Sequence, residues 1–270
     1  MRATVLTDNI ADGELQGEWG LSIYIEYQNR NILLDTGASD LFLKNAEKLG
    51  RKIEDVNYAV LSHAHYDHAD GMDAFFCNNK KAKFYLREGS ADNCYGKKWI
   101  FRRYIGLPKG ILETYRERIV YAGGDYTLCP GVSLIPHKTP GLSRIGKKNL
   151  MYIRTKNGWE PDDFAHEQSL VFQTEEGLVI FNSCSHGGAA NIVREVKKTY
   201  PDQEIRALIG GFHIFGRTDA EVRELARDIR DTGVKEIYTG HCTGDRAYQV
   251  LKEELGDMVH QLRVGLMIEM

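Results

Sequence analysis

Three histidines and an aspartate fall within six consecutive residues, His63-Ala64-His65-Tyr66-Asp67-His68, directly after the apolar stretch 56–61. No other feature limits the chain so strongly. Four such groups cannot all be buried as ordinary core residues, because a polar group taken out of water without a partner costs several kcal/mol. A metal ion supplies a partner for all four. In an extended segment alternate side chains point the same way. His63 and His65 can therefore close on one ion, while Asp67 and His68, past a turn, can reach a second.

An H-x-H-x-D-H run after a β-strand resembles the metallo-β-lactamase superfamily, and the likeness extends over nearly the whole chain. Ile32-Leu33-Leu34-Asp35-Thr36-Gly37 is similar to its early strand-plus-DTG element. Asn182-Ser183-Cys184-Ser185-His186-Gly187-Gly188, Gly210-Gly211-Phe212-His213 and Thr239-Gly240-His241-Cys242-Thr243-Gly244 follow in order. That set resembles the subgroup labelled 7,8-dihydropterin-6-yl-methyl-4-(β-D-ribofuranosyl)aminobenzene 5'-phosphate synthase-like. The resemblance implies an αββα sandwich of two mixed β-sheets flanked by helices. Composition and periodicity alone reach only α/β or α+β.

The same resemblance implies that His63, His65, Asp67, His68, His186 and His241 hold two divalent metal ions. Zinc comes first, with iron or manganese as alternatives, because nitrogen and oxygen donors serve all three. The superfamily commonly has Thr-Gly-Asp with a bridging aspartate where this chain reads Asn-Ser-Cys-Ser-His, so His186 is expected to take over part of that role. Cys184 reads as a small buried thiol that can also approach the metal. His166 matches the superfamily's third histidine by order in the chain. Asp35 is expected to orient a histidine by hydrogen bond, as metal sites generally require. His213, after a strand that runs into two glycines, reads as a ligand, a general acid or a substrate-binding group.

Such an ion pair lowers the pKa of a bound water so that hydroxide exists near neutral pH. The catalytic residues expected beside it are Asp67, orienting that water, and His213, donating a proton or stabilising the oxyanion. The resulting reading is a metal-dependent hydrolase. Two alternatives stay open: a mononuclear-iron dioxygenase or redox protein of the same fold, and a non-catalytic metal-binding module. The oxygen-reducing branch typically has Glu in place of the second histidine, where His65 stands here. The intact ligand set argues against the non-catalytic module.

From Lys80 to Arg118 there are eleven Lys or Arg against four acids, a local +7, with seven aromatics interleaved. Cations can hold phosphate and rings can stack on a heterocycle. The segment is therefore expected to cover the metal site, with some of Arg87, Lys97, Arg102 and Arg103 facing a small anionic substrate, phosphorylated, ring-bearing and pterin-related. A solvated basic face or a subunit contact explains the same composition. The chain as a whole carries a formal charge of −3, which argues against a nucleic-acid partner. No run of 18 apolar residues exists, so no membrane span is expected, and no membrane partner. Five cysteines without a C-x-x-C pair fit reduced thiols in a cytoplasm. Homo-oligomerisation is left open.

Residues 1–270 read as a single domain with a basic, aromatic cap insertion around 80–120. Strands are expected at 22–27, 31–34, 56–61 and 235–239, and a hairpin over 169–173 and 178–182. A helix starts at Leu41 and stops at Gly50. Another spans 219–232, with a Thr218/Glu221 capping box at its start.

Overall fold

Strict alternation of side chains along the strands decides the layering of the molecule. In the computed structural model, which describes all 270 residues, Ile23 and Ile25 of the strand Ser22–Tyr27 enter one apolar cluster, and Tyr24 between them enters another. Val179 and Phe181 share the first of these, whereas Leu178 and Ile180 face a third. A strand that is apolar on both faces must be covered on both. That requirement yields two sheets packed face to face with helices outside each.

The first sheet has the strand order Met267–Glu269, Arg2–Thr7, Ser22–Tyr27, Arg30–Leu34, Tyr58–Val60, Lys83–Arg87, Ile119–Ala122. The second runs Val259–Gln261, Glu236–Thr239, Ile205–Ile209, Gly177–Phe181, Gln168–Thr174, Val132–Pro136, Tyr126–Cys129. Both are mixed. Between them lie Ile23, Ile25, Leu34 and Val60 from one side, meeting Leu170, Phe172, Val179 and Phe181 from the other. Helices Leu41–Lys48 and Met72–Asn78 cover the outer face of the first sheet through Phe42, Ala46, Met72, Phe75 and Phe76. Helices Ala189–Thr199, Asp219–Arg230 and Asp245–Leu255 cover the second. The architecture is the expected αββα sandwich.

A smaller third sheet, Gly158–Pro161, Met151–Thr155, Tyr95–Lys98, Phe101–Tyr104, stands beside the sandwich. The ends of the basic segment belong elsewhere: Lys83–Arg87 and Ile119–Ala122 pair in parallel inside the first sheet. Only its middle leaves the sandwich.

Parallel pairing places the functional loops. Arg30–Leu34 runs parallel to Tyr58–Val60, and Gly177–Phe181, Ile205–Ile209 and Glu236–Thr239 run parallel to one another. Their C-terminal ends, leading to Asp35, His63, His186, His213 and His241, therefore gather at the same edge of the sandwich. Gly210 at one of these ends has φ +141, and a Cβ there would sit 2.0 Å from the Asn182 carbonyl oxygen. Only glycine lets the two strand ends approach so closely.

The helix Asp219–Arg230 begins with the expected capping box, in which the Thr218 hydroxyl accepts the Glu221 backbone N–H and Glu221 reaches back to the Thr218 N–H. Thr218→Ala should lower the unfolding free energy by about 1 kcal/mol in chemical denaturation and leave the strand-end loops intact. A loss too small to measure would mean that packing of Val222, Ala226 and Ile229 alone holds that helix.

Candidate metal centre

A fully buried carboxylate organises the first half of the site. Asp35, at φ +58 after the strand Arg30–Leu34, accepts the Ser62 backbone N–H at 2.7 Å, the Ser62 hydroxyl at 2.6 Å and His68 Nδ1 at 2.8 Å. The Ser62 hydroxyl spends its hydrogen on Asp35, so His63 Nδ1, 2.8 Å away, donates to Ser62 Oγ. His63 and His68 are thereby both held with Nδ1 protonated and Nε2 bearing the lone pair. Asn9 does the same for His241, with its Oδ1 3.2 Å from Nδ1. Thr36 clamps the turn itself, its N–H and hydroxyl both donating to the His68 carbonyl.

The freed nitrogens converge. His63, His65 and His186 bring one ligand atom each within 4.8 Å of one another, and the Nε2 atoms of all three are buried without a hydrogen-bond partner. Burial and the neighbouring imidazoles keep His63 and His186 well below the usual histidine range and take His65 down to about 3. The rings are neutral, as metal ligation requires. Beside them, His241 Nε2 lies 3.1 Å from His68 Nε2 and 3.4 Å from Asp67 Oδ2. Burial works against charge on His241, yet Cys242 and Asp67 outweigh it and raise the group to about 9. A field that favours a proton there favours a metal cation too.

Cys184 is buried, as a small thiol is expected to be, and it also faces the cluster. Its sulfur is 3.2 Å from His68 Nε2 and 3.3 Å from the sulfur of Cys242. It belongs to donor groups with His63 and His68, with His241 and Cys242, and with His186 and His213. The thiol thus stands between the two halves of the cluster. Its place in the Asn-Ser-Cys-Ser-His run, where a bridging aspartate is common in the superfamily, was the available signal. Cys242 carried no signal beyond following His241.

His166 stands at the edge of the cluster, in a donor group with His65, Cys94 and Asp162. Its Nδ1 accepts the Ala64 backbone N–H at 3.1 Å and its Nε2 donates to Asp162 at 3.1 Å, so neither nitrogen is free. His166 braces the His63–His68 loop; the third imidazole is His186. Phe164 stacks on the His186 ring at 4.9 Å, and Glu167 accepts the His186 N–H at 3.1 Å. Glu167 also lies 3.2 Å from His137 Nε2, an ion-pair distance at an angle that makes no hydrogen bond, while His137 Nδ1 bonds Glu195 at 3.0 Å.

His213, at φ +49, packs 4.4 Å from the His186 ring with its Nδ1 unbonded. It forms part of the wall of two cavities. One, about 140 Å³, reaches His65, Asp67 and Cys184 beneath Trp19, Tyr66 and Phe215. The other, about 350 Å³, extends from His186 past Lys148, Arg194 and Arg217. The basic segment enters the smaller cavity only through Ile105, whose carbonyl accepts the Tyr66 N–H. None of the four cations named from the sequence borders these two cavities, and Arg103 lines a neighbouring one with Tyr66 and Asp70. Arg87 is buried and donates to the Gly124 carbonyl, Arg102 lies over Trp159, and neither Lys97 nor Arg103 borders either cavity.

Comparison with known proteins agrees with this geometry. Residues 20–149 match the metallo-beta-lactamase superfamily. A 7,8-dihydropterin-6-methyl-4-(beta-D-ribofuranosyl)-aminobenzene-5'-phosphate synthase of Methanocaldococcus jannaschii is 27% identical, over 93% of this chain and 89% of its own. A crystal structure described as a metal-dependent hydrolase of the β-lactamase superfamily superposes with a TM-score of 0.82 at 28% identity, covering 100% of this chain and 99% of that one. Zinc-bound PqqB of Methylobacterium extorquens shares the fold at 10% identity and TM-score 0.60, with 100% of both chains covered.

The Glu167–His137–Glu195 arrangement makes a pH prediction. Burial opposes charge on His137, but the two carboxylates outweigh it and raise the group from 6.5 to about 10. A folded pKa above the unfolded one adds stability that is complete below about pH 6.5 and lost as pH climbs through about 10. The stability lost in His137→Gln should therefore be on the order of a few kcal/mol at pH 6 and shrink steadily toward pH 10. Denaturant titrations across that range check it; a pH-independent difference would mean that His137 is held neutral.

Proposed function

The chain carries a metallo-β-lactamase superfamily domain, and we propose that it is a metal-dependent hydrolase acting on a small anionic metabolite. The observation that carries this reading is the set of neutral, buried imidazoles with unbonded nitrogens, facing Asp67 and Cys184 at the floor of a cavity. His63, His65 and His186 would hold one divalent ion; Asp67, His68 and His241 would hold the other, with Cys184 between them. A thiol among imidazoles suits zinc or iron better than manganese, which keeps zinc first. Ions held there would acidify a bound water and polarise the bond to be cleaved.

The chain's own groups supply the rest. The Asp67 carboxylate, kept ionised by His68 and His241 against the effect of burial, orients the attacking water. His213 faces the substrate and supplies a proton to the leaving group or a hydrogen bond to the developing oxyanion. Trp19, Tyr66 and Phe215 keep bulk water from the cavity and offer rings to a planar substrate. Lys148, Arg194 and Arg217 offer cations to a phosphate in the larger cavity, although Glu221 already pairs with Lys148 at 2.8 Å. A phosphorylated, ring-bearing substrate related to pterins follows from the archaeal relative's name together with these walls. That relative is named a synthase and the structural relative a hydrolase, and the substrate panel below decides which bond is cleaved. Five cysteines without a disulfide support a reducing, cytoplasmic setting, and no helix is long and apolar enough to cross a membrane.

Elemental analysis of protein purified without added metal, paired with a panel of phosphomonoester, phosphodiester, lactone and thioester substrates, tests the proposal directly. Two divalent ions per chain and turnover of one class are expected. Metal-free protein that refuses added zinc or iron would end this reading. His63→Ala should lower metal content and turnover together, because one nitrogen ligand is lost.

His213→Asn separates chemistry from ligation. It should leave metal stoichiometry and thermal unfolding nearly unchanged while cutting kcat by about tenfold or more, the scale of a lost general acid. Loss of an ion in that variant would make His213 a ligand, and an unchanged kcat would remove it from the mechanism.

A further inference from the structure

The three most exposed large apolar side chains of the chain are consecutive: Trp99, Ile100 and Phe101 are 85%, 81% and 74% exposed. They form the tip of the hairpin made by Tyr95–Lys98 and Phe101–Tyr104, with Lys98 paired to Phe101 across a two-residue turn. Such turns favour Asn-Gly, because positive φ is needed. Here Trp99 takes φ +59, a conformation uncommon outside glycine, asparagine and aspartate. Neither burial nor turn chemistry accounts for these three residues.

Directly behind the tip stand Lys97, Lys98, Arg102 and Arg103. Lys97 is cross-strand partner to Arg102, and like charges placed opposite each other destabilise a sheet. No acid lies between Asn93 and Leu112 in the sequence. The chain's ion pairs, such as Arg116 with Glu113 and Lys138 with Asp125, involve none of the four. The hairpin thus presents an apolar point with an uncompensated cationic collar.

We infer that this hairpin docks the protein on an anionic lipid bilayer surface. Trp99, Ile100 and Phe101 enter the boundary between headgroups and acyl chains, where tryptophan concentrates, while Lys97, Lys98 and Arg103 meet lipid phosphates and Arg102 stays stacked on Tyr152 and Trp159. A second copy of the chain fits worse, because tip-to-tip contact would bring two unpaired cationic collars together. A substrate lid fits worse too: Ile105 at the hairpin's base reaches the metal-side cavity, and the tip lies about five extended residues farther, roughly 17 Å. The expectation of no membrane partner rested on the lack of a spanning segment, which docking on a surface does not need.

Sedimentation of the full chain with phosphatidylcholine vesicles, with and without phosphatidylglycerol, tests the inference. Binding to the anionic vesicles that weakens with salt is expected, with a blue shift of tryptophan emission. W99S/I100S/F101S should weaken that binding about tenfold or more, and K97E/K98E should also weaken it. Both should unfold at the wild-type temperature, since these side chains are largely solvent-facing. No binding to anionic vesicles at low salt would overturn the inference. So would a triple-serine variant that binds as well as wild type, since the cations alone would then be at work. A concentration-dependent dimer in sedimentation velocity that the triple variant abolishes would instead assign the tip to a second copy.

Discussion

The site hangs on the hydrogen bonds accepted by one carboxylate. Asp35 has no exposed surface, so its oxygens must find donors inside the protein or the fold carries a large desolvation penalty. The donors it finds are Ser62 and His68, at the two ends of the H-x-H-x-D-H loop. Satisfying Asp35 therefore sets the path of that loop, the tautomer of His68 and, through the Ser62 hydroxyl, the tautomer of His63. An unliganded polar cluster would tend to collapse onto itself by internal hydrogen bonds. For His63, His68 and His241 such a bond is made at Nδ1, on the far side of the ring, which leaves Nε2 directed into the centre.

The second sheet adds ion pairs of its own. Glu167 and Glu195 hold His137 between them, and Glu167 fixes the backbone at His186. Asp162 and His166 hold the Ala64 amide, and with it the middle of the opposite loop. Two facing loops from different sheets are thus tied across the centre by groups that offer it no ligand atom. Buried ion pairs are weak contributors to net stability when judged against apolar replacements. Their use here is positional: each removes a degree of freedom from a loop that carries an imidazole.

Much of this was legible before the structure, and the exceptions have physical causes. The candidate ligand histidines could be read because three of them share one H-x-H-x-D-H run after a strand, and His186 and His241 each stand shortly after another apolar strand. What sets His166 apart from His186 in the structure, that its ring nitrogens already have partners, is not carried by order in the chain. Cys184 stayed open between two readings because a buried apolar thiol and a thiol facing a metal look alike in sequence. The cations of the 80–118 segment could be counted from the sequence but not placed. Arg87 ends a core strand, and the hairpin's pairing with Met151–Thr155 joins stretches some fifty residues apart, for which no local pattern speaks.

The cost of the centre is visible in its backbone. Nine residues other than glycine adopt positive φ, and five of them, Asp35, Phe164, Ser185, His213 and His241, touch the cluster or its braces. Each such residue costs on the order of 1–3 kcal/mol and persists only where its surroundings over-determine it. The surroundings here do so. Ser185 is held by the Asn182 side chain at 2.7 Å, and His213 by its N–H to the Cys242 sulfur at 3.2 Å. Phe164 is held by its N–H to Asp162 at 2.8 Å. The parallel strands that deliver these residues are buried on both faces, so they cannot shift to relieve the turns without opening the core. Strain at the strand ends and apolar packing beneath them are therefore two sides of one arrangement. The sandwich is stable enough to keep five residues in conformations they would leave, and that is what holds the imidazoles in place before any ligand arrives.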